Sequence, residues 1–448
     1  MMRYFKGLHL LFCIAIAIPA SSAVKFKDYP DYLQPDKAIN SVSMVMVHDV
    51  VSPPAAGRYY AYCMLSAYYI VAANDKQQPE LEKFIKDFKN TSVFDTIHFK
   101  YDYRIAAYFS ILETAKLMLP SGFMMEDDED AFVKILQNSK VDPTIITHSI
   151  TVAKIASGLI ISFSKADNYN KLSALKRYTP LKEDGKWYPT PPAYMEAVEP
   201  NWKTIRPMVI DSSNQFKPVS PIPFSIDTNA AFYKQAVDVY IKSKHLSGTE
   251  TEIASFWDCN PFAITTSGHM SIGFKKISPG GHWMHITGLA VTKAHLNFNQ
   301  SILVLTMEGV TLMDAFISTW DEKYSSNRIR PETYINKYID IKWQPFLQTP
   351  PFPEYTSGHA VVSNASATML TYLLGDNFAY TDNTEIPFGS GERSFKSFKQ
   401  AAQEASISRF YGGIHFMDSI TNGNMQGVLV AENIINKIKK VGILQQFK

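Results

Sequence analysis

Three short stretches in the last third of the chain combine cations, a helix start and histidines at spacings that suit anion chemistry. The first is Lys323 followed by Arg330-Pro331, a Lys-x6-Arg-Pro pattern. Trp320 and Lys323 stand three apart, so on a helix they share a face. Pro331 biases Arg330 toward an extended backbone, so a helix ending between them can turn Arg330 back toward Lys323. The second is Thr356-Ser357-Gly358-His359, followed directly by an apolar stretch. Ser357 is a good N-cap, Gly358 permits close approach of the backbone, and the free N–H groups of the first turn point at a bound anion. His359 sits at the rim, where an imidazole can exchange protons near neutral pH. The third is Ser408-Arg409, five residues, then His415. Arginine offers a planar fork of donors suited to a tetrahedral oxyanion. An imidazole nitrogen can attack phosphorus or bind a metal. Each piece also has an ordinary reading: cations near helix ends serve the dipole, Ser-Gly-His caps a helix, and a histidine beside Gly412-Gly413 is structural more often than not. A second Thr266-Ser267-Gly268-His269 has no basic partners around it in sequence and reads as structural.

Taken together, the order, spacing and residue types resemble the three-part signature shared by vanadium-dependent haloperoxidases and the phosphatidic acid phosphatase type 2 superfamily. The motifs span residues 320 to 415. A weaker likeness to bacterial haloperoxidases extends through Trp187–Pro207 and Glu252–Trp257. Phosphatase members carry an Asp four residues after the last His; here position 419 is Ser and Asp418 falls one place early. That leaves the partner of His415 open between Asp418, after a local shift, and a backbone carbonyl.

Vanadate and phosphate are both tetrahedral, so such a pocket alone does not choose. Trp320 three residues before the motif Lys, a chain longer than the soluble acid phosphatases, no lipid-phosphatase membrane helices and the displaced Asp all lean toward vanadium. The Arg409–His415 run is similar to bacterial iodoperoxidases of that family. The resemblance implies a vanadate cofactor bound through His415, with Lys323, Arg330, Arg409, Ser357, Gly358 and Trp320 around it. It implies that His359 deprotonates hydrogen peroxide and that Lys323 polarises the peroxide held on vanadate. Halide, most easily iodide and with bromide open, would then become hypohalous acid that halogenates small organic nucleophiles. The same residues in a phosphatase would form a phosphohistidine at His415, with His359 protonating the leaving alcohol; a third reading is a non-enzymatic anion binder. Phe352, Tyr355 and Trp320 are candidate wall residues. His282 and His285, three apart, could bind a metal but lack a third ligand in sequence, and Lys203 with Arg206-Pro207 echoes the first motif at the wrong spacing.

The elements that must position these residues read as helices. Apolar residues recur at three and four in Tyr59–Ala73, Lys100–Met118, Asp130–Gln137 and Thr144–Ser162. A second block covers Phe232–Ser243, Glu250–Trp257, Trp283–Asn297, Ser301–Tyr324, His359–Leu374, Phe395–Phe410 and Met425–Val441. Glu126–Asp130 reads as carboxylates at a helix start. Between Pro180 and Pro223 lie nine of the 25 prolines, with Trp187 and Trp202, which reads as an ordered loop wrapping the helices. No strand series or internal repeat is visible. The expected fold is all-α with helical-bundle packing, a haloperoxidase and acid phosphatase-like fold. An N-terminal helical region would occupy residues 24–240, and a C-terminal region carrying the oxyanion site residues 241–448.

Residues 1–23 read as a signal peptide: Arg3 and Lys6, an apolar run from Leu8 to Ile18, Pro19, then Ser21 and Ala23. Phe12 stands where a lipoprotein leader would need a small residue before Cys13. Export to the periplasm or beyond is the expectation, with no stable membrane insertion and a monomer for want of a dimer helix. The net charge of +2 excludes a strongly basic nucleic-acid binder. Cys63 and Cys259, far apart in sequence, do not by themselves establish a disulfide.

Overall fold

The computed structural model describes residues 29–90, 93–267 and 270–443; the leader reading and the second Gly268-His269 lie outside them. Thirteen α-helices account for most of this span. The first five are α1 (Pro35–His48), α2 (Pro53–Asn74), α3 (Tyr103–Met118), α4 (Met125–Asn138) and α5 (Pro143–Ser164). After the proline-rich segment come α6 (Ala231–Lys244), α7 (Gly248–Phe256), α8 (Pro279–Lys293), α9 (Phe298–Ser326) and α10 (Pro331–Tyr338). Then follow α11 (Gly358–Leu374), α12 (Phe398–Tyr411) and α13 (Met417–Lys440). Two short antiparallel hairpins, β1 (Ile264–Ser267) with β2 (Met270–Gly273) and β3 (Tyr380–Asp382) with β4 (Arg393–Phe395), were not expected from the sequence. Helices α1 and α10 were also not anticipated.

The central element is α9. Asn297 and Gln300 form a reciprocal capping box at its start, and Asn327 in the left-handed region ends it. Between those signals Leu303, Leu305, Val310, Leu312, Phe316 and Trp320 are all buried, which makes it a core helix on every side. Gly309 lets it approach α2 closely, since a Cβ there would stand 3.2 Å from the Ala61 backbone. Helices α5 and α9 are each long and apolar enough to cross a membrane, although the sequence reading found no such segment beyond the leader. The apolar window of α9 is wholly buried within the protein, and that of α5 is 39% buried.

One hydrophobic cluster runs from Tyr29 to Ile443 and crosses residue 240 without a break. The proline-rich segment is part of the packed structure. Trp187 and Trp202 are fully buried, and the Asp314 carboxylate on α9 accepts from the backbone N–H groups of Met208, Val209 and Ile210 at 2.7, 2.8 and 2.9 Å. The Val198 carbonyl accepts from both Trp320 Nε1 and Tyr324 Oη, also on α9. Cys63 and Cys259 are both buried and unpaired.

Candidate active site

Four chain segments bring the three sequence motifs together. The last turns of α9 carry Trp320 and Lys323. The chain then reverses at Asn327, and Arg330 is the extended N-cap residue of α10, held so by Pro331. Ser357 caps α11 and accepts from the Ala360 N–H, which leaves the Gly358 and His359 N–H groups at the helix start without intrahelical partners. Arg409 closes α12. Gly413, at φ 76°, then turns the chain where only a glycine is relaxed, and delivers His415 ahead of α13.

Three buried cations cluster around the site without a salt-bridge partner of their own. Lys323, Arg330 and Arg409 are at most 1% exposed, and none of them forms an ion pair among the described residues. Arg330 donates through Nε to the Phe352 carbonyl and through Nη1 to the Ile414 carbonyl, while Nη2 is buried without a partner. Arg409 donates through Nε to Ser408 Oγ and through Nη2 to the Trp257 carbonyl. Burial lowers the pKa of all three, that of Arg330 to about 10; for Lys323 the neighbouring Arg330 adds to the effect. Lys323 is also anchored to the backbone. Its ammonium donates to the carbonyls of Pro353, Glu354 and Thr356, at 3.2, 3.2 and 2.5 Å, so its three protons tie down the strand of chain that leads to Ser357.

His415 is oriented by a residue that neither sequence alternative named. Its Nδ1 lies 2.7 Å from Glu354 Oε1, and that same oxygen accepts the Phe416 N–H. Asp418 is instead bound to the Arg328 guanidinium at 2.6 and 2.8 Å, and Arg328 also grips Glu354. With Nδ1–H donated to the carboxylate, the lone pair on Nε2 is left to face Arg330 Nη1 at 3.0 Å. Burial first, then Arg330, Lys323 and Arg409, hold the ring well below the usual histidine range, so it is neutral. His359 is likewise held well below the usual histidine range, by burial first and then by Arg409. Its ring bonds the Trp257 backbone, and Nε2 is buried without a partner.

His359, Arg409 and His415 line a cavity of about 30 Å³ together with Trp320, Phe352, Gly358 and Asp258 among others, while Lys323 and Arg330 are outside its lining. A single ordered water needs ~10–15 Å³, so the space suits a small ion rather than a bulky organic molecule. Trp320 and Phe352 form wall as expected, with ring centroids 5.0 Å apart. Tyr355 does not: it packs under Arg328 and donates to the Val219 carbonyl. Arg206 lies elsewhere, over the Phe163 ring, and His285 bonds Asn383. Glu354 escaped the sequence reading because it stands 61 residues from His415, and no spacing rule links the two.

The fold and pocket together define a helical-bundle protein built to hold a small oxyanion beside a neutral imidazole. Residues 339–442 match the family described as the VCPO second helical-bundle domain. The crystal structure of a bacterial vanadium-dependent iodoperoxidase superposes with a TM-score of 0.83 at 40% identity, over 93% of this chain and 98% of that one. The holo and apo forms of a bacterial vanadium-dependent chloroperoxidase share the fold at 14% and 13% identity. They superpose with TM-scores of 0.60 and 0.62, covering 92% and 87% of this chain and 95% and 93% of theirs. No curated protein matches the chain. The chain belongs to the vanadium-dependent haloperoxidase family.

Proposed function

We propose that the protein oxidises halide with hydrogen peroxide, iodide foremost, using vanadate held at this pocket. The observation that carries the reading is the trio of buried cations, none in an ion pair among the described residues: the nearby acids Glu354 and Asp258 are engaged by Arg328 and Lys276, so the excess buried positive charge calls for an anion. The donor set fits vanadate. Arg330 Nη2 is an orphaned buried donor, the α11 start offers free N–H groups, and His415 Nε2 carries a lone pair, now accepting from Arg330 Nη1, that a bound vanadate would take over. When bound, vanadate supplies a Lewis-acid centre that polarises peroxide toward halide.

The chain's own residues do the rest. Arg330, Arg409 and the Gly358 N–H balance the anion's charge, and Glu354 keeps the His415 lone pair aimed inward. Lys323 holds the Pro353–Thr356 segment and adds positive charge behind it. His359 Nε2 accepts a proton from incoming hydrogen peroxide, which its neutral state permits. Trp320 and Phe352 keep the cavity small. The likeness to an iodoperoxidase, with iodide the easiest halide to oxidise, supports iodide. Leader-like residues 1–23 support export, so that the oxidant is made outside the cytoplasm.

The test loads the full chain with orthovanadate, adds peroxide, and compares iodide and bromide oxidation with hydrolysis of an aryl phosphate. Vanadate-dependent iodide oxidation is expected; phosphate hydrolysis without it would overturn the reading. His415→Ala should abolish vanadate retention, and full halide oxidation in that variant would show that the ligand lies elsewhere.

A further inference from the structure

Beside the anion cavity, and sharing Cys259 with its wall, lies a second cluster that the haloperoxidase chemistry does not use. We propose that Cys259 Sγ, His282 Nδ1 and Glu385 Oε1 bind a divalent metal ion of the zinc type.

The three atoms converge from three separate segments: the loop after α7, the first turn of α8, and the chain following β3. They stand 3.3 Å (sulfur to nitrogen), 3.1 Å (nitrogen to oxygen) and 3.7 Å (sulfur to oxygen) apart. Tetrahedral zinc, with Zn–S near 2.3 Å and Zn–N and Zn–O near 2.0–2.1 Å, needs ligand-to-ligand edges of roughly 3.3–3.6 Å. The observed edges lie within about 0.3 Å of those values, the two to nitrogen shorter and the sulfur–oxygen edge longer, and water can take the fourth position. Thiolate with imidazole and carboxylate is a donor set that selects zinc over calcium or magnesium.

The surroundings are those of a built ligand site. His282 Nε2 lies 2.7 Å from Asp382 Oδ2, and Asp382 is itself fixed by the Thr384 N–H and hydroxyl at 3.0 and 2.6 Å. That carboxylate orients the ring and leaves Nδ1 for the metal, the usual outer support of a ligating histidine. Trp257 stacks on the ring with centroids 4.6 Å apart. Cys259, His282, Asp382 and Glu385 are each no more than 3% exposed. Hydrogen bonds also link the three groups, with the Cys259 S–H donating to Glu385 Oε1 and Nδ1 beside both, so the metal assignment rests on the convergence of the donor atoms and on the donor set. His282 therefore has the third ligand that its spacing to His285 did not offer, and His285 is not part of the set. A metal here pins the Asp258–Phe262 wall of the anion cavity to α8.

The experiment measures metal by elemental analysis on the full chain after dialysis, and then on chelated protein titrated with Co2+. About one zinc per chain is expected, independent of vanadium content, and Co2+ should give a near-ultraviolet sulfur-to-cobalt charge-transfer band. Cys259→Ala should lose both, Asp382→Asn should weaken retention by about 10–100-fold, and His285→Gln should change neither. If Cys259→Ala does not fold, the wild-type cobalt spectrum decides alone. Folded wild-type protein that takes up neither Zn2+ nor Co2+, or a Cys259→Ala variant that keeps the band, would overturn the proposal. Vanadate binding plays no part in these readouts, so the two readings stand or fall separately.

Discussion

Glu354 binds three partners at once: the His415 ring, the Phe416 N–H and Arg328. Glu354→Gln keeps the shape but removes the charge that favours Nδ1–H on His415. Vanadate binding is expected to weaken by about 10–100-fold, measured by titration of the folded variant. Arg328 keeps Asp418, so the stability loss should stay below the ~3–5 kcal/mol of stripping a buried pair. Asp418→Asn, which never touches the ring, should weaken vanadate binding far less; the reverse order would refute the assignment. The residue types of the pocket were legible in the sequence because Lys323, Arg330, Ser357, Gly358, His359, Arg409 and His415 sit in compact motifs. Their partners were not. The 353–356 carbonyls that hold Lys323 and the carboxylate behind His415 are tertiary neighbours, and local spacing carries no record of them.

At the scale of elements, long apolar periodicity was readable and short elements were not. The sequence placed α9, α11 and α12 to within a few residues because α9 and α11 carry sustained apolar runs and α12 repeats its buried Phe398, Ala401, Ala402 and Ala405 at three and four. Helix α10 was hidden because Arg330-Pro331 reads first as part of a motif, and β3 and β4 are three residues each, below what alternation can reveal. The same all-round burial that makes α9 legible creates a liability at Glu308. Its carboxyl is fully buried with no cation beside it among the described residues, and burial, only partly offset by the Ser366 hydroxyl, pushes its pKa up to about 8. Folded pKa thus exceeds the unfolded value of about 4.3. The contribution of the neutral acid is fully present below that unfolded value and is lost as pH rises through about 8. Glu308→Gln should remove this slope, leaving stability near pH 4 little changed and raising it at pH 8 by on the order of a few kcal/mol. Chemical denaturation at the two pH values checks it, and an unaltered pH slope would disprove it.

For the whole molecule, one core from Tyr29 to Ile443 means that filling the pocket stabilises everything packed around it. A ligand that binds only the folded state adds about 2.7 kcal/mol at a hundredfold excess over its Kd. Orthovanadate should therefore raise the Tm of the full chain in a concentration-dependent way, read by calorimetry, and His415→Ala should blunt the rise. A Tm indifferent to vanadate in the wild type would count against the pocket as the binding site.

The three cations without an acid of their own also decide who competes for the site. Fixed positive charge attracts any small tetrahedral anion, and the proposed bond from His415 to vanadium is what would tell vanadate from phosphate. The fraction of enzyme in working order is then governed by the ratio of the two anions in its surroundings, and not by vanadate alone. Run in phosphate buffer, the same Tm titration should need more vanadate to reach its midpoint. A phosphate-rich habitat would keep much of the protein folded and idle, and scarcity of phosphate would switch it on.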